Sequence, residues 1–201
     1  VLPTPTARLV NRLEKPENLI KYVLLLAACA VFRLAQVIPN AEPIMFTTLP
    51  AAKKFGAKAA FAFAFIAMAS FDFVSGRVGM WTAYTALAYG AVGFFAGKYL
   101  AGRGATRWNF LKYSVAGTIA FDIVTALIFG WQFGQTVEAT LIGQVPFTAY
   151  HLLGNVVLVT AFAPLLYKHV LENEALSLSR VLVNLGIAAP APVPARKRKM
   201  M

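Results

Sequence analysis

"IMFTTLPAA", residues 44–52, decides how the rest of this chain is counted. The run is apolar but short and carries Pro50, whereas an ordinary helical crossing takes about 20 apolar residues to traverse about 30 Å of hydrocarbon. If it crosses as a short kinked helix, every later loop lies on one side of a membrane; if it turns back, every later loop changes sides.

That a membrane is the relevant solvent follows from composition. Hydrophobic residues make up 59% of 201 residues and charged residues 13%, with a mean hydropathy of +0.64. A soluble domain of this size cannot bury so much apolar surface. Longer apolar runs flank the short one, at 19–38, 55–74, 80–100, 108–130 and 146–167. A polar leader (1–18) precedes the membrane region (19–171), and a basic, Pro/Ala-rich segment (172–201) follows it. The first run reads as a retained helix, since "PNAEP" after it lacks a small-x-small cleavage pattern.

Basic residues arbitrate the short run, because Lys and Arg accumulate on the cytoplasmic side of span ends. With a crossing at 44–52, Arg8, Arg12, Lys15, Lys21, Lys53, Lys54, Lys58, Lys98, Arg103, Arg107, Lys112, Lys168, Arg180 and the tail "RKRK" share one side, leaving Arg77 opposite and Arg33 within a span. Without it, most of these cations move outside. The expectation is an all-α integral membrane protein: a six-transmembrane-helix bundle in the cytoplasmic membrane, both termini cytoplasmic. The net charge of +11 is then a topology signal, with anionic lipid as a partner and no nucleic acid. "LENEALSLSRVLVNLGI" reads as a short amphipathic helix on the inner surface. Cys29, the single cysteine, reads as inert packing.

On the fourth span Ala83, Ala86, Gly90, Gly93 and Gly97 step by three and four along one face. Small residues at that spacing let a second backbone approach closely, either a neighbouring helix of the bundle or a coupling partner. Polar residues gather toward the outer half. Arg33, Asp122, His151 and Asn155 lie within spans, the last two at i and i+4 on one face, and Asn40, Glu42, Asp72, Trp81 and Tyr84 lie at or near the outer connections. Charges at membrane depth cost several kcal/mol and tend to face a bundle interior or a cavity, so this set predicts a substrate-binding pocket open to the outside. Each member also has a plainer reading: snorkelling for Arg33, interfacial anchoring for Trp81, turn capping or a pair with Arg77 for Asp72, and a structural buried pair for Asp122 and His151.

Three ordered elements carry a resemblance: "IPNAEPIMFTTLPAAKKFG", "FDFVSGRVGMWTAYTALAYGAVGFFAG" and "VPFTAYHLLGN". Together they resemble membrane S components of energy-coupling factor (ECF) vitamin transporters. The resemblance implies a substrate-capture subunit, not itself an enzyme, working with a transmembrane coupling subunit and two cytoplasmic ATPases, and a pocket near Asn40, Glu42, Trp81, Tyr84, His151 and Asn155. The chain has no Walker A sequence, so ATP hydrolysis would come from those partners. Two departures stand out. Met80 occupies the place of a frequent proline before Trp81, and the Ala-x-x-x-Ala coupling pattern of the first helix is missing, Ala27 being followed at i+4 by Val31. Mixed acidic, amide and aromatic groups suit a small polar or heteroaromatic ligand, and nothing calls for a cofactor.

Other readings compete. A proton- or ion-coupled secondary transporter would use Asp122, and a purely structural membrane protein would use none of these groups chemically. A rhomboid-like intramembrane serine protease would pair Ser75 with His151, but Phe73 stands where that motif has glycine. A metal-dependent lipid-modifying enzyme would need a close-spaced carboxylate run that the chain lacks.

Overall fold

The computed structural model describes residues 16–35, 42–177, 182–183 and 186–187. Six α-helices follow in order: α1 (Pro16–Ala35), α2 (Pro43–Phe55), α3 (Ala57–Val74), α4 (Met80–Leu100), α5 (Arg107–Gln132) and α6 (Val137–Leu166). A π-helical turn (Tyr167–Leu171) and a 3-10 turn (Glu174–Leu176) follow α6. Asn40, the basic tail and residues 178–181 and 184–185 of the expected amphipathic segment lie outside the described residues, and the start of that segment folds as the 3-10 turn rather than as an α-helix.

The short run at 44–52 folds as the middle of α2. Pro43 sits at the start of this helix, where its missing N–H costs nothing, and Pro50 is accommodated inside it. Its 13 residues span about 20 Å at 1.5 Å per residue, less than a hydrocarbon core. Ile44, Met45, Leu49 and Ala51 are fully buried, and α1, α3, α4 and α6 all touch the helix. The shortest helix is therefore the centre of the packing. Its lower end reverses on a single residue: Gly56 adopts φ 89°, which favours glycine, and donates its N–H to Ala52 before α3 begins.

Among the described residues, three helices are long and apolar enough to cross a membrane: α3, α5, and α6 with its π continuation. The flanks of α4 to α6 expose large apolar side chains, among them Leu87, Phe95, Ile119, Ile123, Leu153, Val157 and Phe162, as a lipid-facing surface would. α4, rich in Gly, Thr and Tyr, and α2, at 13 residues, are not among them. The expected six crossings thus stand in the structure as six helices, three of them long and apolar enough to span.

The largest difference from the sequence reading is at α6, which starts at Val137 instead of Pro146. Thr136 caps it by accepting from the Ala139 N–H at 3.2 Å, with Glu138 in the first turn, and Pro146 lies inside the helix. The apolar run 146–167 is thus the later part of a longer helix.

The small-residue stripe on α4 faces α3. A Cβ built on Gly93 would lie 2.4 Å from the Ala60 carbonyl oxygen, and one on Gly97 would lie 2.3 Å from Ala57 Cα. Ala86, Gly90, Gly93 and Gly97 are buried, while Ala83 is exposed. The stripe is thus occupied by the bundle's own helix rather than left free for a partner.

At the end opposite the cavity described below, cations meet helix C-terminal carbonyls. Lys21 Nζ donates to the carbonyls of Leu171 (3.1 Å) and Asn173 (2.7 Å), and Lys53 Nζ to that of Leu100 (3.1 Å). Lys54 pairs with Glu172 at 2.8 Å, and this hydrogen bond holds the Glu172 carboxyl below its usual range. The stabilisation is present above the ordinary carboxyl range and is lost as pH falls through the lowered value.

Gly97→Ala is expected to destabilise the bundle by about 1–3 kcal/mol through overpacking against Ala57, read as a lowered midpoint of thermal unfolding in detergent. Gly143→Ala, with nothing within 4 Å of the added Cβ, is the control and is expected to be neutral or slightly stabilising.

Candidate functional site

Five helix positions from five different elements meet in one hydrogen-bonded chain. Arg33, near the end of α1, reaches Glu42 Oε1 at 3.3 Å. Glu42 is the N-cap residue of α2, yet its side chain makes no capping bond. Its other oxygen accepts from the Tyr89 hydroxyl of α4 at 3.0 Å. The same hydroxyl lies 3.2 Å from His151 Nε2 on α6, and His151 Nδ1 lies 2.8 Å from Asp122 Oδ1 on α5. Tyr89, Asp122 and His151 are buried, and Asp122 is fully so.

Below this chain a second rung joins the same two helices. Asn155 Nδ2, one turn after His151, donates to Thr118 Oγ1, one turn before Asp122, at 2.9 Å. The i, i+4 spacings on α5 and α6 thus register both rungs at once. Asp122 Oδ2 and Asn155 Oδ1 remain buried without a hydrogen-bond partner among the described residues. Such groups are rare in proteins, since a buried polar atom is normally hydrogen-bonded.

Arg33 is also held from the side. Its guanidinium lies 4.3 Å over the Phe71 ring and 2.9 Å from Met68 Sδ, so it packs inward rather than snorkelling.

Above the chain lies a cavity of about 750 Å³. Glu42 and His151 form its polar floor; Phe121, Phe129, Phe133 and Phe147 give aromatic walls, and Gln135 and Gln144 give amides. The turn that shapes its rim is set by Gly134 at φ 67°, which lets the Gln135 N–H reach back to the Gly130 carbonyl at 2.8 Å. A small polar or aromatic molecule fits this volume and this mix of surfaces.

Of the residues singled out in the sequence, Arg33, Glu42, Asp122 and His151 come together, and Asn155 stands one rung below. Asp72, Trp81 and Tyr84 do not line the cavity. Asp72 closes the α3–α4 turn instead: Oδ2 accepts from Thr82 Oγ1 at 2.7 Å, and Thr82 Oγ1 accepts from the Gly79 N–H. Arg77 reaches Asp72 only through its backbone N–H, at 2.8 Å to the carbonyl. Trp81 is 46% exposed and folds its ring back over Gly79, where a Cβ would meet it at 2.6 Å. Tyr84 meets Phe129 edge-on at 6.5 Å. Ser75 donates to the Asp72 carbonyl at 3.4 Å, and both His151 nitrogens are engaged by Tyr89 and Asp122, so no Ser75–His151 pair forms.

Sequence reasoning missed Tyr89, the junction of the chain, and Thr118. A phenol in the middle of an apolar run was the available signal, since a buried Tyr hydroxyl needs a partner.

These features define a helical protein with three candidate membrane-spanning helices and a polar chain buried beneath a cavity at one end. The model of a family of unknown function, DUF6580, matches residues 14–175, and the chain belongs to that family. Neither the curated proteins nor the solved structures gave a match.

Tyr89→Phe is expected to leave Glu42 Oε2 and His151 Nε2 short of a partner and to destabilise the protein by about 1–3 kcal/mol. Tyr84→Phe, which keeps the edge-on contact with Phe129, is expected to change it by less than about 0.5 kcal/mol. Thermal unfolding in detergent reads both.

Proposed function

We propose that this protein is the ligand-capture subunit of a membrane importer, taking a small polar or heteroaromatic molecule into the cavity from outside the cell. The observation that carries the reading is the cavity itself: about 750 Å³, aromatic-walled, with a polar floor joined to side chains from five elements. His151 reaches that floor from within α6 and Glu42 from the N-cap of α2. The three sequence elements quoted above, which resemble those of ECF S components, suggest the importer in particular.

In this reading all six helices belong to the membrane unit, the Lys-rich end is cytoplasmic and the cavity faces out. Lys53, Lys54 and Lys98 then lie inside with the tail, in keeping with the distribution of basic residues. A transmembrane coupling subunit and two cytoplasmic ATPases supply the energy, since binding alone shifts no gradient. The α4 stripe being filled by α3, coupling falls to another face.

Purification of the full chain from its own membrane in mild detergent is expected to retain a small molecule, detected by mass spectrometry, and an ATPase pair. Ala139→Trp, which fills the cavity from α6, is expected to lose the small molecule while keeping the ATPases and the unfolding midpoint. Uptake by the purified chain alone in proteoliposomes under a proton gradient would replace this reading with a secondary transporter.

A further inference from the structure

The outer side of α4 carries two grooves with a ridge between them. The first, about 350 Å³, lies between α4 and α5 and is floored by small residues: Ala88 and Ala91 from α4, and Ala116, Gly117 and Ala120 from α5. The second, about 420 Å³, lies between α3 and α4 along Phe61, Phe94 and Lys58. Ala91 and Phe95 line both, so Phe95, 61% exposed, stands as the ridge.

Both grooves are apolar along their length and cationic at one end. Lys58 enters the second groove from the first turn of α3, and Lys98 Nζ lies 5.6 Å from the centre of the Phe94 ring that lines it. That first turn of α3 holds no acidic residue and no side-chain cap, so the positive end of the helix dipole adds to the charge of Lys58. At the same end of the first groove, Arg103 lies 4.1 Å over the Tyr99 ring, which packs at 5.4 Å against the groove residue Tyr113. Lys58, Lys98 and Arg103 are exposed, and among the described residues none makes an ion pair and no acid lines either groove.

Shape narrows what can lie there. The first groove follows α5 from Tyr113 to Val124, about 16 Å at 1.5 Å per residue, which gives a mean cross-section of roughly 20 Å². A helix 10 Å across presents about 80 Å². The groove therefore takes a hydrocarbon chain and not a whole helix. We propose that the two grooves hold the two acyl chains of one anionic phospholipid, which straddles Phe95 and sets its phosphate between Lys58 and Lys98. With the Lys-rich end cytoplasmic, that phosphate lies in the inner leaflet, whose surface anionic lipids make negative.

The lipid fills a seam that the protein leaves open. At its base α4 and α5 meet where the Tyr113 hydroxyl donates to the Val92 carbonyl. At its deep end the first groove reaches Phe121, which also walls the cavity and lies 4.1 Å from the Tyr89 ring. One side chain thus separates the acyl chain from the cavity. The inference depends on the membrane setting of the bundle and not on what the cavity binds.

Native mass spectrometry of the full chain in detergent tests this by counting bound phosphatidylglycerol and phosphatidylcholine carrying the same acyl chains. At about fivefold per cation near the surface, phosphatidylglycerol is expected to bind about 25-fold more tightly, and Lys58→Gln combined with Lys98→Gln to remove about that factor. Arg107→Gln combined with Lys168→Gln takes the same charge from exposed cations outside both grooves and is expected to leave the preference within about twofold, since attraction that scales with overall charge would fall equally in both. Ala116→Leu combined with Ala120→Leu, which fills the first groove from exposed positions, is expected to lose tight binding of both lipids.

Equal binding of the two lipids by the natural chain, an equal loss of preference in the two charge variants, undiminished binding in the filled variant, or release of the lipid by millimolar inorganic phosphate overturns the proposal. A photo-crosslinker placed at position 120 in the native membrane is expected to label lipid; labelling of a protein instead would assign the groove to a partner and overturn it as well. The charge variants alter exposed side chains alone, so they decide the question even if the filled variant fails to fold.

Discussion

The contact between His151 and Asp122, 2.8 Å long and sealed from solvent, sets the relation of the two longest helices. A carboxylate and an imidazole at this depth are tolerated only when each satisfies the other, and removing one partner would leave an uncompensated buried charge. One turn further along, Asn155 and Thr118 repeat the arrangement, so α5 and α6 cannot slip by a residue without breaking both rungs. The register of that pair in turn places the aromatic walls of the cavity, because Phe121 adjoins Asp122 in sequence and Phe147 lies one turn before His151.

The other elements are organised around the same chain. α2 begins just after its N-cap residue Glu42, whose carboxylate serves Arg33 and Tyr89 rather than its own helix. α4 can bring Tyr89 that close because its small residues allow it to lie almost backbone to backbone against α3. A packing device on one face thus supports a polar one on another.

Part of this was legible in the sequence. The bounds of α4 match the apolar run 80–100, and Arg33, Glu42, Asp122 and His151 stood out because charges are rare and costly in apolar runs. Their partners were less visible. Tyr89 has an apolar body and reads as core until its hydroxyl is followed to two acceptors, and the choice between Thr118 and its neighbours depends on register that no single helix reveals. Asp72 and Trp81 were grouped with the pocket because they share its end of the bundle. A short turn has uses of its own for a carboxylate and an indole, closing on Thr82 and covering Gly79. The apolar run 146–167 marks only the later part of α6, because residues 137–145 include Glu138, Gln144 and small or hydroxyl residues, while the Thr136 cap starts the helix at Val137.

α6 has 30 residues and runs about 45 Å, roughly 15 Å more than a hydrocarbon core. The surplus falls at its beginning, where Ala139, Thr140, Gly143 and Gln144 wall the cavity. The chamber is therefore raised partly on an overhang, at the height where water and headgroups replace acyl chains. Pro146 sits at the root of that overhang and denies the helix one of its longitudinal bonds. Pro164 repeats that loss near the other end, so the two rungs sit between two prolines, and a tilt at Pro146 would alter the mouth of the chamber while leaving the rungs undisturbed.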